Sequence, residues 1–141
     1  MEVEWLILAD AASVVGGKLN LLGGGWDVLM VNDEFPHTQH LAVAAAFRVP
    51  WIETNQPRDF SVTIMSGDGD REVFKIGGAV EVGRPPGVLQ GQDQRAQIVA
   101  EGIVELHEGT YSVIAEIAGG EAKQAGFRVI AGPNLARKPP G

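Results

Sequence analysis

The chain of 141 residues contains no cysteine. That absence excludes disulfide bonds, metal sites built on thiolates, and a cysteine nucleophile. A chain of this length buries roughly two thirds of the surface that it exposes when unfolded, so one hydrophobic core can stabilise it without cross-links. We therefore expect a single domain over residues 1–132, followed by a flexible tail over residues 133–141 that is rich in proline and glycine.

Basic residues are also scarce, with 11 lysines and arginines against 18 aspartates and glutamates, for a net charge of −7. A chain of that sign repels a phosphate backbone unless it carries a local basic patch, and its basic residues are scattered. We expect no nucleic-acid partner and no membrane partner, and we interpret the acidic balance as a source of solubility.

Long apolar runs are missing as well. The apolar segment 5–9 is far shorter than the roughly 20 residues that a membrane-spanning helix needs. Glu2 and Glu4 stand where a signal peptide would carry positive charge. These features predict a cytoplasmic protein.

No segment keeps a helical period, whereas 19 glycines and 8 prolines divide the chain into short alternating runs. This pattern predicts an all-β fold, an antiparallel β-sandwich of about 7–9 strands. Residues 9–13 fit a strand or a short helical turn, residues 23–25 a bulge or a crossover, and residues 32–39 a loop.

The segment 40–49 is the centre of the predicted fold. Its alternate positions are apolar and point to one side of a strand, and they are Leu41, Val43, Ala45, Phe47 and Val49. The opposite side carries Ala42, Ala44 and Ala46 in a row. So many small apolar side chains on the second face predict that this face is also covered, either by another element or by another subunit.

Two local features support a sandwich. Asp68-Gly69 predicts a tight hairpin, because glycine adopts positive φ without strain. Tyr111 follows a glycine-containing turn, as does the tyrosine that bonds back across a corner of immunoglobulin-like domains.

The motifs ADAASVVGGKLNLLGGGWD and FRVPWIETNQP, followed by a strand that ends in DG, resemble those of a bacterial family of small uncharacterised all-β proteins. The resemblance extends from Val3 to about Val129. It implies an immunoglobulin-like sandwich of unknown function and transfers no catalytic residue.

Catalytic signatures are absent from the sequence. It has no Gly-x-Ser-x-Gly, and the glycines at 16–17 and 23–25 belong neither to a phosphate-binding loop nor to a dinucleotide fingerprint. We therefore predict a protein that is not an enzyme and binds no cofactor.

Two metal sites are conceivable. Asp68, Asp70 and Glu72 cluster oxygen ligands that calcium could use, although they do not match an EF-hand loop, and the alternative is a solvated hairpin tip. The three histidines, at 37, 40 and 107, are too few and too far apart for a convincing zinc site.

A ligand pocket is the other candidate site. Trp26, Asp27, Trp51, Glu53 and Asn55 combine ring faces with planar hydrogen-bonding groups, as sites for sugars and similar small ligands do. In the alternative, Glu53 and Asn55 only fix the crossover between two strands. A hydrolase that pairs Glu53 with Asp27 is the least favoured hypothesis.

The function that these observations favour is a non-enzymatic interaction or scaffold module that forms a homo-oligomer, or binds an unknown protein partner, through a sheet face or edge. The alanine row at 42, 44 and 46 is its main motivation. The alternative is a binding module for a carbohydrate-like ligand at the tryptophan corner.

Overall fold

A computed structural model describes residues 1–133 and shows nine β-strands and one 3-10 turn. The strands are β1 (Glu2–Val15), β2 (Lys18–Gly24), β3 (Val28–Val31), β4 (His37–Val49), β5 (Arg58–Ser66), β6 (Glu72–Val80), β7 (Gln94–Leu106), β8 (Gly109–Ile117) and β9 (Lys123–Ala131). The 3-10 turn, Trp51–Glu53, lies between β4 and β5. The predicted all-β class is confirmed.

The strands form a four-stranded sheet in the order β2-β1-β4-β7 and a five-stranded sheet in the order β3-β9-β8-β5-β6. Neighbouring strands are antiparallel except for β3 and β9, which are parallel. The expectation of a wholly antiparallel fold is therefore wrong for that pair. The chain changes sheet between β2 and β3, so the crossover alternative is right at Gly25, whereas Gly23 and Gly24 still belong to β2.

One hydrophobic core lies between the two sheets. Phe47 and Val43 of β4 contribute from one sheet, and Ile64 of β5 with Val113 of β8 contribute from the other, all without exposed surface. Burying a side chain of this size stabilises a fold by roughly 1.5–3 kcal/mol. The alternation predicted for the segment 40–49 is confirmed, because its large side chains lie in this core.

The outer face of the four-stranded sheet is also closed over the middle of β4. Ala42, Ala44 and Ala46 are 0% exposed although they point away from the core. Along β4 they lie opposite β1 on one side and β7 on the other, with Ala44 between Ile7 and Val99.

The cover comes from the chain itself. Residues 2–9 of β1 pair with β4, whereas residues 9–15 pair with β2 and form a hairpin with it. The Ala12 N–H donates to Glu101 Oε1 at 3.3 Å, and Gln97 Nε2 donates to the Gly17 carbonyl at 3.0 Å. Because Glu101 and Gln97 lie opposite Ala42 and Ala46, these bonds place the hairpin over the alanine row.

Two further expectations are settled by strand boundaries. Residues 9–13 are strand throughout, because β1 continues to Val15, and the loop predicted over residues 32–39 is shorter, because β4 begins at His37. The hairpin turns at Gly16-Gly17, where both residues have the positive φ that a two-residue turn requires. Except for Pro133, the tail predicted over residues 133–141 lies outside the described residues.

Within residues 1–133, no helix is both long enough and apolar enough to cross a membrane.

The closed alanine row can be tested by Ala44→Leu. The larger side chain has no space between β4 and the hairpin, so we expect the free energy of unfolding to fall by about 1–3 kcal/mol in urea denaturation. Ala79→Leu is the matched control, because Ala79 is exposed on β6, and its effect should stay within about 0.5 kcal/mol. Equal stability of the two variants would show that the hairpin leaves the row open.

Candidate functional site

The two ends of the sandwich carry different candidate residues. Along β5, Phe60 lies opposite Ile117 of β8, and Ser66 lies opposite Tyr111. Since β5 has nine residues, its two ends are roughly 25 Å apart. We call them the Trp51 end, where β4 runs into the 3-10 turn, and the Tyr111 end.

Trp26 and Asp27 lie at the Tyr111 end. The Trp26 ring meets Phe127 edge to face, with centroids 5.6 Å apart, and Phe127 stacks on Tyr111 at 5.2 Å. Such contacts between rings stabilise a core beyond the area they bury. The Asp27 carbonyl accepts the Arg128 N–H at 2.9 Å, where β3 joins β9. Both residues are therefore engaged in holding β3 to the five-stranded sheet.

Tyr111 makes the predicted bond across its corner. Its hydroxyl accepts the N–H of His107 at 2.9 Å and lies 3.3 Å from the carbonyl of the same residue, to which it donates. The bond fixes the connection from β7 to β8.

Trp51 lies at the opposite end of the sandwich, where an arginine that was not among the predicted site residues covers its ring. The Arg84 guanidinium lies 3.8 Å from the centre of the Trp51 ring. Arg84 also donates to the Trp51 carbonyl at 3.0 Å and to Thr54 Oγ1 at 2.7 Å. This ring face is consequently occupied by the protein and is not open to stack on a sugar.

Glu53 and Asn55 are similarly engaged. The Glu53 carboxylate pairs with the α-amino group of Met1 and lies 3.5 Å from Arg58 Nη2. Asn55 adopts a φ of 61°, and its N–H donates to the Val82 carbonyl at 2.7 Å. These contacts match the structural alternative, in which Glu53 and Asn55 fix the crossover between β4 and β5.

The structure thus brings Trp51, Glu53 and Asn55 together but places Trp26 and Asp27 at the opposite end. A single pocket made from all five residues does not form. Asp27 and Glu53 are also much farther apart than the roughly 10 Å that a pair of hydrolytic carboxylates spans, so the paired-carboxylate hypothesis is wrong.

The hairpin between β5 and β6 accounts for the carboxylates proposed for calcium. Asp68 Oδ1 accepts the Ser66 hydroxyl at 2.6 Å and the Asp70 N–H at 3.1 Å. These two bonds, the Ser66 bond first, hold the pKa of Asp68 below its usual range. Across residues 1–133, no three histidine or acidic side chains are placed to hold a metal ion together. The arrangement of Asp68, Asp70 and Glu72 is that of a hydrogen-bonded hairpin tip.

The three histidines are separate from one another in their contacts. His37 Nε2 lies 2.8 Å from Gln39 Oε1, and His40 Nδ1 lies 3.1 Å from the Asp10 carbonyl. His107 joins the tyrosine corner through its backbone.

A charged cluster on the four-stranded sheet has no counterpart among the predicted sites. Arg95 donates to both oxygens of Glu4, at 2.6 and 2.7 Å, and Arg48 lies 3.4 Å from the same carboxylate. The hydrogen bonds from Arg95, supported by the charges of both arginines, lower the pKa of Glu4 to about 2. Glu4 and Arg95 are 91 residues apart, so no local pattern could have identified the pair.

The comparison with known families gives a match over most of the chain. Residues 4–130 match a family model described as "Family of unknown function (DUF6941)". No curated protein matches the chain.

The pKa of Glu4 provides a test of the charged cluster. Arg95→Gln removes the strongest hydrogen bonds to the carboxylate, so the pKa should rise from about 2 towards its ordinary 4.5. Arg48→Gln, the matched control, should raise it less. The measurement is an NMR titration of the Glu4 carboxyl carbon.

The lowered pKa of Glu4 also makes the stability of the fold depend on pH. A lowered pKa stabilises the folded state above pH 4.5, and that stabilisation is lost as the pH falls towards 2. In Arg95→Gln less stability should be lost over this acid range. An unchanged Glu4 pKa in Arg95→Gln would contradict the assigned pairing.

Proposed function

We propose that this chain, which belongs to the family of unknown function DUF6941, is a non-enzymatic interaction module. In this proposal it self-associates through the edge of its four-stranded sheet. The alanine row that first suggested self-association is covered by the β1–β2 hairpin and offers no contact surface. The proposal therefore moves from the face of this sheet to its edge.

One observation carries the proposal: β7 is the last strand of its sheet and presents thirteen residues along an edge that no strand covers within residues 1–133. It pairs with β4 at every position without a register shift and contains no proline. The other edge strands, β2, β3 and β6, have seven, four and nine residues. A long, regular edge presents unpaired N–H and carbonyl groups, which makes it a template for another strand.

We further infer that the sandwich is immunoglobulin-like. The order β1-β4-β7 in one sheet and β9-β8-β5-β6 in the other corresponds to strands A, B, E and G, F, C, C′ of that fold. Tyr111 at the start of β8 then occupies the position of the tyrosine corner. In this correspondence no strand D follows strand E, which leaves the edge of β7 without its usual neighbour.

The contacts at the Trp51 end support a non-enzymatic role. The carboxylate of Glu53 is paired with the α-amino group of Met1 and with Arg58, and Arg84 covers the Trp51 ring. The ring face and the carboxylate at this corner are thus engaged by residues of the chain itself. Binding of a carbohydrate-like ligand at this corner stays a prediction that requires Arg84 to leave the ring.

A bacterial origin and a cytoplasmic location also stay predictions.

Self-association can be measured by light scattering and sedimentation equilibrium over about 1 µM to 1 mM protein. We expect the mass of a dimer to replace that of the 15.0 kDa chain as concentration rises. Ile103→Lys places a charge on the outer side of β7, where Ile103 is 69% exposed, and should weaken association about tenfold or more.

The matched control is Met30→Lys. Met30 is 53% exposed on β3, at the far edge of the other sheet, so the variant has the same added charge away from the proposed interface and should associate like the wild type. A monomer throughout the concentration range would overturn the proposal.

A further inference from the structure

Building on the proposed self-association, we propose that the partner is a second copy of this chain whose β7 pairs antiparallel with this β7 about a two-fold axis at Ala100. The two four-stranded sheets would then join into one eight-stranded sheet. This arrangement brings Arg95 of each copy against Glu105 of the other.

The register follows from the length of the strand. Ala100 is the midpoint of Gln94–Leu106, so a two-fold axis there pairs all thirteen residues, whereas moving the axis by one residue leaves eleven paired and moving it by two leaves nine. An axis perpendicular to the sheet also keeps outward side chains opposite outward ones, which a sheet with one buried face requires. Of the registers open to the strand, the one centred on Ala100 pairs the most backbone groups.

The charges on the outer side of β7 are complementary in this register. Arg95 and Glu105 are both exposed, and each pairs with its opposite in the other copy. Opposite charges facing each other across antiparallel strands stabilise the pair, and like charges destabilise it. Glu101 lies opposite Val99, and its carboxylate already accepts the Ala12 N–H of its own chain. The register therefore places no two like charges directly opposite each other.

In the single chain Arg95 is already paired, because its guanidinium donates two hydrogen bonds to Glu4 of β1. In the order β2-β1-β4-β7, β1 lies on the side of β7 away from its open edge. Arg95 must therefore turn from Glu4, or share its guanidinium between two carboxylates, to reach Glu105 of the second copy. We accordingly assign the Arg95–Glu105 contact to the choice of register and the backbone pairing of β7 to the affinity.

The apolar side chains fit as well. On the inner side Ile98 lies opposite Gly102, over which the Phe74 ring packs, so an apolar side chain meets an apolar surface, and both residues are half-buried in the single chain. On the outer side the exposed Ile103 lies opposite Gln97, whose amide holds the tip of the β1–β2 hairpin at Gly17. Pairing would cover Ile103 between the partner strand and that tip.

Charge reversal tests the register. Glu105→Lys and Arg95→Glu should each raise the dimer dissociation constant about tenfold or more, because each places two like-charged pairs across the interface. Mixed in equal amounts, the two variants should form a heterodimer of near wild-type affinity, since each then meets an opposite charge at both contacts. Native mass spectrometry separates this heterodimer from both homodimers.

Two controls accompany the reversals. Glu116→Lys makes the same charge change at an exposed position of β8 in the other sheet and should leave the dissociation constant unchanged. Arg95→Glu loses its bonds to Glu4, so urea unfolding must show it folded before its dissociation constant is used. Glu105→Lys keeps those bonds and carries the test alone if Arg95→Glu does not fold.

Distances between spin labels give an independent measure of the register. The chain has no cysteine of its own, so a single introduced cysteine is the only site that is labelled. Labels on Ile103→Cys should lie roughly 20 Å apart across the dimer, and labels on Glu105→Cys roughly 34 Å apart, since the paired positions are six and ten strand residues away. Shifting the axis to residue 98, which faces Arg95 with Glu101, would instead put the labels at 103 roughly 34 Å apart.

The outcomes separate the two proposals. A wild-type monomer overturns the proposed function and this register with it. If the wild type is a dimer, three results would overturn the register alone. They are an unchanged dissociation constant in Glu105→Lys, no heterodimer between the two charge variants, or labels at 103 that are far from 20 Å apart. Recombination of the two charge variants together with the predicted label distances supports the register.

Discussion

The fold depends on one strand that is buried on both faces. Residues 41–47 of β4 have no exposed surface, with Leu41, Val43, Ala45 and Phe47 between the sheets and three alanines on the other side. A strand in this position must be apolar at every residue. The outward residues must in addition be small, because the β1–β2 hairpin lies directly over them. The alternation of large and small along β4 therefore fixes both the core and the position of the hairpin.

Much of this arrangement could be predicted from local sequence. The period of two along β4, the Asp68-Gly69 turn and the corner at Tyr111 each depend on residues close together in the chain. The alanine row predicted a cover but not its identity. That identity depends on contacts such as the one between Gln97 and Gly17, which are 80 residues apart and leave no local pattern.

In the candidate site, too, contacts between residues close in sequence were predictable and contacts between distant residues were not. Trp51, Glu53 and Asn55 lie within five residues, so their proximity was predictable, whereas Arg84 reaches Trp51 from the segment after β6. Trp26 was wrongly grouped with them because the change of sheet before β3 carries it to the other end. Grouping residues by chemistry alone fails when the strands between them separate the two ends of a sandwich.

A net charge of −7 opposes the approach of two copies at long range. At physiological salt, however, screening acts over about 8 Å, so charges in direct contact matter more than the total. Most acidic side chains of this protein lie away from β7, whose outer side carries both signs. With both faces of β4 occupied within the chain, the edge of β7 is the longest edge of the two described sheets to which another strand could add. The double burial of β4 and the open edge of β7 thus belong to one sheet whose outer face is covered over its central strand but not along its last strand.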